Sequence, residues 1–134
     1  TVPNRVEKKT VMFHKVQGEK LQADFYRPNS DTNVPIVLLI HGGAWVAGNR
    51  HQIVIHANRI AAAGMAVMSI DYRLAPQFKY PAQLDDVRAA IRYIEEQAEP
   101  LKLDRNQFAI WGYSAGGHLA ALAALYPEDG LLRP

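Results

Sequence analysis

Three short apolar runs stand out along the chain: Ile36-Val37-Leu38-Leu39-Ile40, MAVMSIDY at 65–72 and FAIWGY at 108–113. None shows the apolar–polar alternation of a strand with one wet face. They predict strands buried on both sides, the pattern of a parallel sheet covered by helices. Upstream, KKTVMFHKV (8–16) and KLQADFYRP (20–28) alternate moderately and flank Gln17-Gly18-Glu19, which reads as a hairpin turn. The polar stretch PNSDTNVP (28–35) is a connector. A helix is expected over 49–63, with Gly64 as its stop. After Pro81, suited to a first helical position, Leu84, Val87, Ile91 and Ile94 recur at helical spacing. Asp85 and Asp86 then lie near the positive end of that helix dipole, and Pro100 ends it. A third helix is expected from Ala115 to Tyr126.

A hairpin followed by strand, helix, strand, helix, strand, helix predicts an α/β layered fold, because each helix returns the chain for another parallel strand. No repeat, low-complexity tract or linker divides residues 1–134, which read as a single domain. In such folds functional groups gather at the carboxyl ends of the strands. Here those ends carry His41-Gly42-Gly43-Ala44-Trp45, Asp71-Tyr72-Arg73-Leu74-Ala75-Pro76 and Gly112-Tyr113-Ser114-Ala115-Gly116.

Composition narrows the function. The chain is 49% hydrophobic, as a globular domain with a real core requires. Fifteen Lys and Arg against thirteen Asp and Glu give +2, and the basic residues are scattered, which argues against a nucleic-acid surface. The absence of cysteine excludes disulfides, thiol catalysis and cysteine-ligated metals. No apolar run reaches the length of a membrane span, and no signal-peptide pattern begins the chain. A soluble protein, cytoplasmic or secreted, fits both facts.

The serine stretch matches G-x-S-x-G in the context that motif demands, an apolar strand before it and an Ala-rich helix after it. A nucleophile on such a bend needs small neighbours, here Gly112 and Gly116, because adjacent backbone comes very close. The helix N-terminus also favours negative charge beside Ser114. Acyl transfer requires N–H donors aimed at a developing oxyanion. The glycines of HGGAW suit that task, with Gly43 and Ala44 as donors joined by Ala115. Gly42 supports the loop, and His41 is expected to fix it by hydrogen bonds. A glycine-rich turn without catalysis is the competing explanation of each motif alone. No G-x-G-x-x-G follows a strand and no Walker lysine is present, so a nucleotide cofactor is not expected. The five histidines (14, 41, 51, 56, 118) form no ligand cluster, and no metal is expected.

LIHGGAWVAG, DYRLAP, YPAQLDDVRAAIRYI and WGYSAGGHLAAL together resemble the α/β-hydrolase esterases. The similarity is greatest to the hormone-sensitive-lipase-like carboxylesterases and the related acetyl- and feruloyl-esterase group, and it runs from about Val34 onward. The resemblance implies an α/β-hydrolase fold, Ser114 as nucleophile, Gly43, Ala44 and Ala115 as oxyanion donors, and an acyl-enzyme mechanism on small carboxylic esters. It also implies a structural role for DYRLAP, with Arg73 pairing to Asp85 or Asp86.

A triad needs a base and an orienting acid, in the chain order Ser, acid, His. After Ser114 the only histidine is His118, for which packing or capping on the third helix is the expected role, and the only acids are Glu128 and Asp129. The family's acid and base lie on loops after later strands. The chain therefore reads as the N-terminal portion of a serine carboxylesterase, stopping directly after the nucleophile helix. The alternative is a non-catalytic binding or assembly module of hydrolase ancestry. In a product of this length the 108–113 strand would be an unpaired edge, and self-association through it is expected.

Overall fold

The computed structural model describes residues 5–128. The alternating N-terminal stretches form an antiparallel hairpin, β1 (Val6–Val16) and β2 (Glu19–Pro28). The three apolar runs supply β3 (Val34–Ile40), β4 (Ala66–Ile70) and β5 (Leu103–Gly112). Between and after them lie α1 (Val54–Ala62), α2 (Ala82–Gln97) and α3 (Ala115–Leu125). All five strands share one mixed sheet in the order β1-β2-β4-β3-β5, where β3 runs parallel to both of its neighbours and β2 antiparallel to β4. This is the α/β-hydrolase arrangement of a leading hairpin followed by parallel strands and helices.

Burial explains the topology. Ile36, Leu38 and Ile40 alternate with Val37 and Leu39 along β3, and all five are buried. The first set packs with Met68, Ile70 and the apolar faces of α2 and α3. The second packs with Tyr26, Val67 and the buried alanines of α1, Ala57 and Ala61. A strand covered on both faces has no use for a polar residue, which is why β3 reads as an unbroken apolar run. Register then aligns the strand ends. Ile40 lies opposite Ile70 on β4 and opposite Gly112 on β5, so residues 41, 71 and 113 leave the sheet side by side.

Three expectations are adjusted. The helix expected over 49–63 is broken into a 3-10 turn, Arg50–Ile53, and α1. The Asn49 side chain caps the turn, and Arg50 is tied to the end of β4: its N–H donates to Asp71 Oδ1 (2.8 Å) and its carbonyl accepts from Ser69 Oγ (3.0 Å). The break falls at Ile53, whose backbone (φ −114°, ψ 27°) leaves the helical region before α1 begins. Pro81 is the residue before α2 rather than its first. Finally, β5 begins five residues earlier than the apolar run, at Leu103, and is not buried on both faces. Of its apolar residues from 108 onward, Phe108 is buried, Ala109 exposed, and Ile110 and Trp111 half-buried, because β5 is the edge of the described sheet.

Candidate active site

Ser114 lies on the bend between β5 and α3, with φ 54° and ψ −116°. A side chain seldom adopts that conformation, and holding it there costs about 1–3 kcal/mol. Packing leaves no alternative. A Cβ on Gly112 would overlap the Gly116 carbonyl, and one on Gly116 would stand 2.6 Å from the His41 carbonyl oxygen. The bend is therefore wedged between its own helix and the end of β3, with Tyr113 N–H donating to the Ile40 carbonyl (3.1 Å) and Gly116 N–H to that of Tyr113 (2.9 Å). Ser114 itself is exposed, at the N-terminus of α3. A hydroxyl so placed is open to a ligand and faces the positive end of a helix dipole.

The loop after β3 lies against this bend. A Cβ on Gly42 would sit 2.7 Å from the Tyr113 carbonyl oxygen and 3.2 Å from Ser114 Cβ, so only glycine lets the two segments approach. Gly43 has φ 133°, and Ala44 and Trp45 follow at 54° and 66°. This run of left-handed backbone turns the loop over itself, and the Gly43 carbonyl accepts from both Val46 N–H and Ala47 N–H at 3.1 Å. The N–H groups of Gly43, Ala44 and Ala115 have no acceptor among the described residues. Free donors on the loop, with another at the start of the neighbouring helix, are what stabilisation of a developing oxyanion requires.

His41 is fully buried, with its ring stacked on Tyr72 at 4.2 Å and its Nδ1 2.7 Å from the Gly42 carbonyl. That contact needs a proton on Nδ1. Nε2 has no hydrogen-bond partner among the described residues, and burial holds the imidazole below its ordinary pKa, which favours the neutral ring. The expected loop-fixing role fits this geometry. His118 is exposed, and its ring meets Trp45 edge to face at 5.5 Å. It packs on the loop rather than capping a helix. His51 and His56 lie on different elements, against Asp24 (3.6 Å) and Trp111 (5.0 Å) respectively. Among the described residues no group of three metal-ligating side chains converges.

The DYRLAP segment braces the loop from the far side. Arg73 pairs with Asp86, not Asp85, through Nη2 at 2.9 Å, and Asp86 also accepts from the Arg73 backbone N–H (2.8 Å). Ala75 N–H donates to the Trp45 carbonyl (2.8 Å), joining this segment to HGGAW directly. Sequence reasoning missed two further supports. Gln52 Oε1 accepts from Gly42 N–H (2.8 Å), and Tyr72 Oη donates to the His41 carbonyl (2.9 Å). It also missed the ion cluster in which Arg50 bridges Asp24 (3.0 Å) and Asp71 (2.6 Å). Burial opposes the Asp24 carboxylate, yet the Thr10 hydroxyl and Arg50 hold its pKa below the ordinary 3.8. An Asp between Ala23 and Phe25 in the strand 20–28 was the one available signal, because a charge among buried apolar neighbours demands a partner.

The chain matches the BD-FAE family over residues 23–132. It is 36% identical to carboxylesterase NlhH of Mycobacterium tuberculosis, an alignment covering 93% of this chain and 39% of that protein. With the arylesterase of Saccharolobus solfataricus it shares 34% identity over 89% of this chain and 39% of the relative. Among solved structures a bacterial heroin esterase superposes with a TM-score of 0.87 at 33% identity, covering 96% of this chain and 42% of that one. A hyperthermophilic esterase from Pyrobaculum calidifontis gives 0.78 at 36% identity, covering 90% and 39%. The chain thus spans about two fifths of the length of these curated relatives. Among the described residues no helix is long and apolar enough to cross a membrane.

Proposed function

Since this chain belongs to the BD-FAE family of α/β-hydrolase esterases, we propose that the protein containing it is a serine carboxylesterase acting on small carboxylic esters, with Ser114 as its nucleophile. The observation that carries the reading is the juxtaposition of an exposed serine in left-handed backbone with a loop of unpaired N–H groups, at the helix end where negative charge is favoured. In this reading residues 1–134 are part of one hydrolase domain, and the base and acid of the triad come from outside them. Ser114 Oγ attacks the ester carbonyl while its proton passes to the base. The oxyanion is held by the amides of Gly43, Ala44 and Ala115, and the alcohol leaves with the proton returned by the base. Water then repeats the sequence on the acyl-enzyme, releasing the acid and restoring the hydroxyl. Gly112, Gly116, Gly42 and His41 hold the two segments in register.

The test uses the full-length natural protein with short-chain p-nitrophenyl esters. Ser114→Ala is expected to abolish turnover with the fold retained. A fluorophosphonate is expected to add one phosphonyl group to the peptide containing Ser114, read by mass spectrometry. Turnover that survives Ser114→Ala, or labelling at another residue, refutes the proposal.

A further inference from the structure

The peptide between His41 and Gly42 is held from both sides. Its carbonyl oxygen accepts from Tyr72 Oη at 2.9 Å, and its N–H donates to Gln52 Oε1 at 2.8 Å. A planar peptide gripped at both polar ends cannot rotate about its flanking bonds without breaking a hydrogen bond. The two following carbonyls are also engaged: Gly42 O faces His41 Nδ1 at 2.7 Å, and Gly43 O accepts the Val46 and Ala47 amides. With the His41, Gly42 and Gly43 carbonyls committed, the N–H groups of Gly43 and Ala44 stay without an acceptor among the described residues.

We propose that Gln52 and Tyr72 are positioning residues that clamp the His41–Gly42 peptide, and thereby set the direction of the oxyanion donors that follow it. Each arrives from an anchored element. Tyr72 follows β4, is buried, and stacks on His41; burial pushes its hydroxyl up to about 12, so it stays a donor at any working pH. Gln52 lies in the 3-10 turn whose first residue, Arg50, is tied to Asp24 and Asp71 at 3.0 and 2.6 Å. Asn49, just before that turn, caps it through His51 N–H (2.9 Å) and accepts Gln52 N–H on its carbonyl (3.1 Å). The ion cluster thus has a use beyond stability, since it sets where the Gln52 side chain starts. Neither residue touches the reacting atoms.

The inference rests on the acyl-enzyme reading above, and its test separates the two. In the full-length protein, Gln52→Met keeps the length of the side chain and loses the acceptor, while Tyr72→Phe keeps the ring and loses the donor. Each is expected to lower kcat about three- to tenfold, the range one lost hydrogen bond supplies, with KM changed by less than about twofold. Binding of a trifluoromethyl ketone, whose hemiketal oxygen occupies the oxyanion position, is expected to weaken by the same factor as kcat/KM across the variants. The double variant is expected to fall short of the product of the two losses, because both bonds hold one peptide. Gln52 is exposed, so Gln52→Met carries the test if Tyr72→Phe does not fold. Unchanged kcat and inhibitor binding, or losses confined to KM, overturn the clamp. Ser114→Ala in the same series distinguishes the failures. Surviving turnover there refutes the nucleophile, whereas a dead Ser114→Ala beside wild-type clamp variants refutes the clamp alone.

Discussion

Replacing Asp86 with alanine removes the partner of a buried guanidinium. Asp86 is 0% and Arg73 7% exposed. The carboxylate accepts from the Arg73 backbone N–H at 2.8 Å, from Nε at 3.0 Å and from Nη2 at 2.9 Å. What remains for Arg73 is one bond to Gln17 Oε1 (2.9 Å) and a longer one to the Ala82 carbonyl (3.3 Å), both neutral acceptors. A charge left unpaired in that setting costs about 3–5 kcal/mol. The pair itself is worth much less, because two desolvation penalties offset most of the attraction. Asp86→Ala and Arg73→Met are each expected to lose about 3 kcal/mol or more, with the Asp86 variant at the upper end. Arg73→Met with Asp86→Leu, which buries no charge, is expected to be more stable than Asp86→Ala. Urea unfolding of the full-length protein, followed by tryptophan fluorescence and far-UV circular dichroism together, measures all three. A loss below about 1 kcal/mol for Asp86→Ala, or a double variant no more stable than Asp86→Ala, would show that the guanidinium finds another partner or water, and the argument from burial fails.

Two further outcomes follow from the structure. Burial holds His41 neutral with a folded pKa below the 6.5 of the free imidazole, so the unfolded chain binds the extra proton. Its contribution to stability is complete above about pH 6.5 and is lost as pH falls through the folded value. Stability of the wild type is expected to drop more steeply on acidification than that of His41→Gln, and parallel curves would refute the assignment. Residues 1–134 produced by themselves are expected to self-associate through β5, which has one strand neighbour among the described residues and half-exposed Ile110 and Trp111. Sedimentation measures this, and a soluble, cooperatively melting monomer at tens of micromolar refutes it.

Much of this architecture is local and so was legible in the chain. The apolar run 36–40 declares a strand buried on both sides because its side chains meet two layers of helix, and that requirement shows in composition before any fold is known. The bend at Ser114 is equally local. Glycines on either side, a strand before and a helix after specify the turn, and the structure supplies the left-handed backbone that the pattern demands. The segment FAIWGY does not itself show an edge, since it reads the same with or without a further strand beside it. The edge was expected from the number of strands, and which of its side chains are exposed came from the structure. Burial belongs to the sheet, not to the segment.

The sequence by itself determined the order of elements, the bend at Ser114 and the glycines that let two backbones touch. Only the tertiary structure decided which side chains serve that contact. Gln52 follows the loop it supports by ten residues and Tyr72 by some thirty, yet both reach the same peptide. Asp86 rather than its neighbour Asp85 receives Arg73 because it faces inward on α2. The physical reason is common to all three. A hydrogen bond or buried ion pair depends on distance and direction in space, and along the chain its partners carry no periodicity or spacing that marks them as a pair.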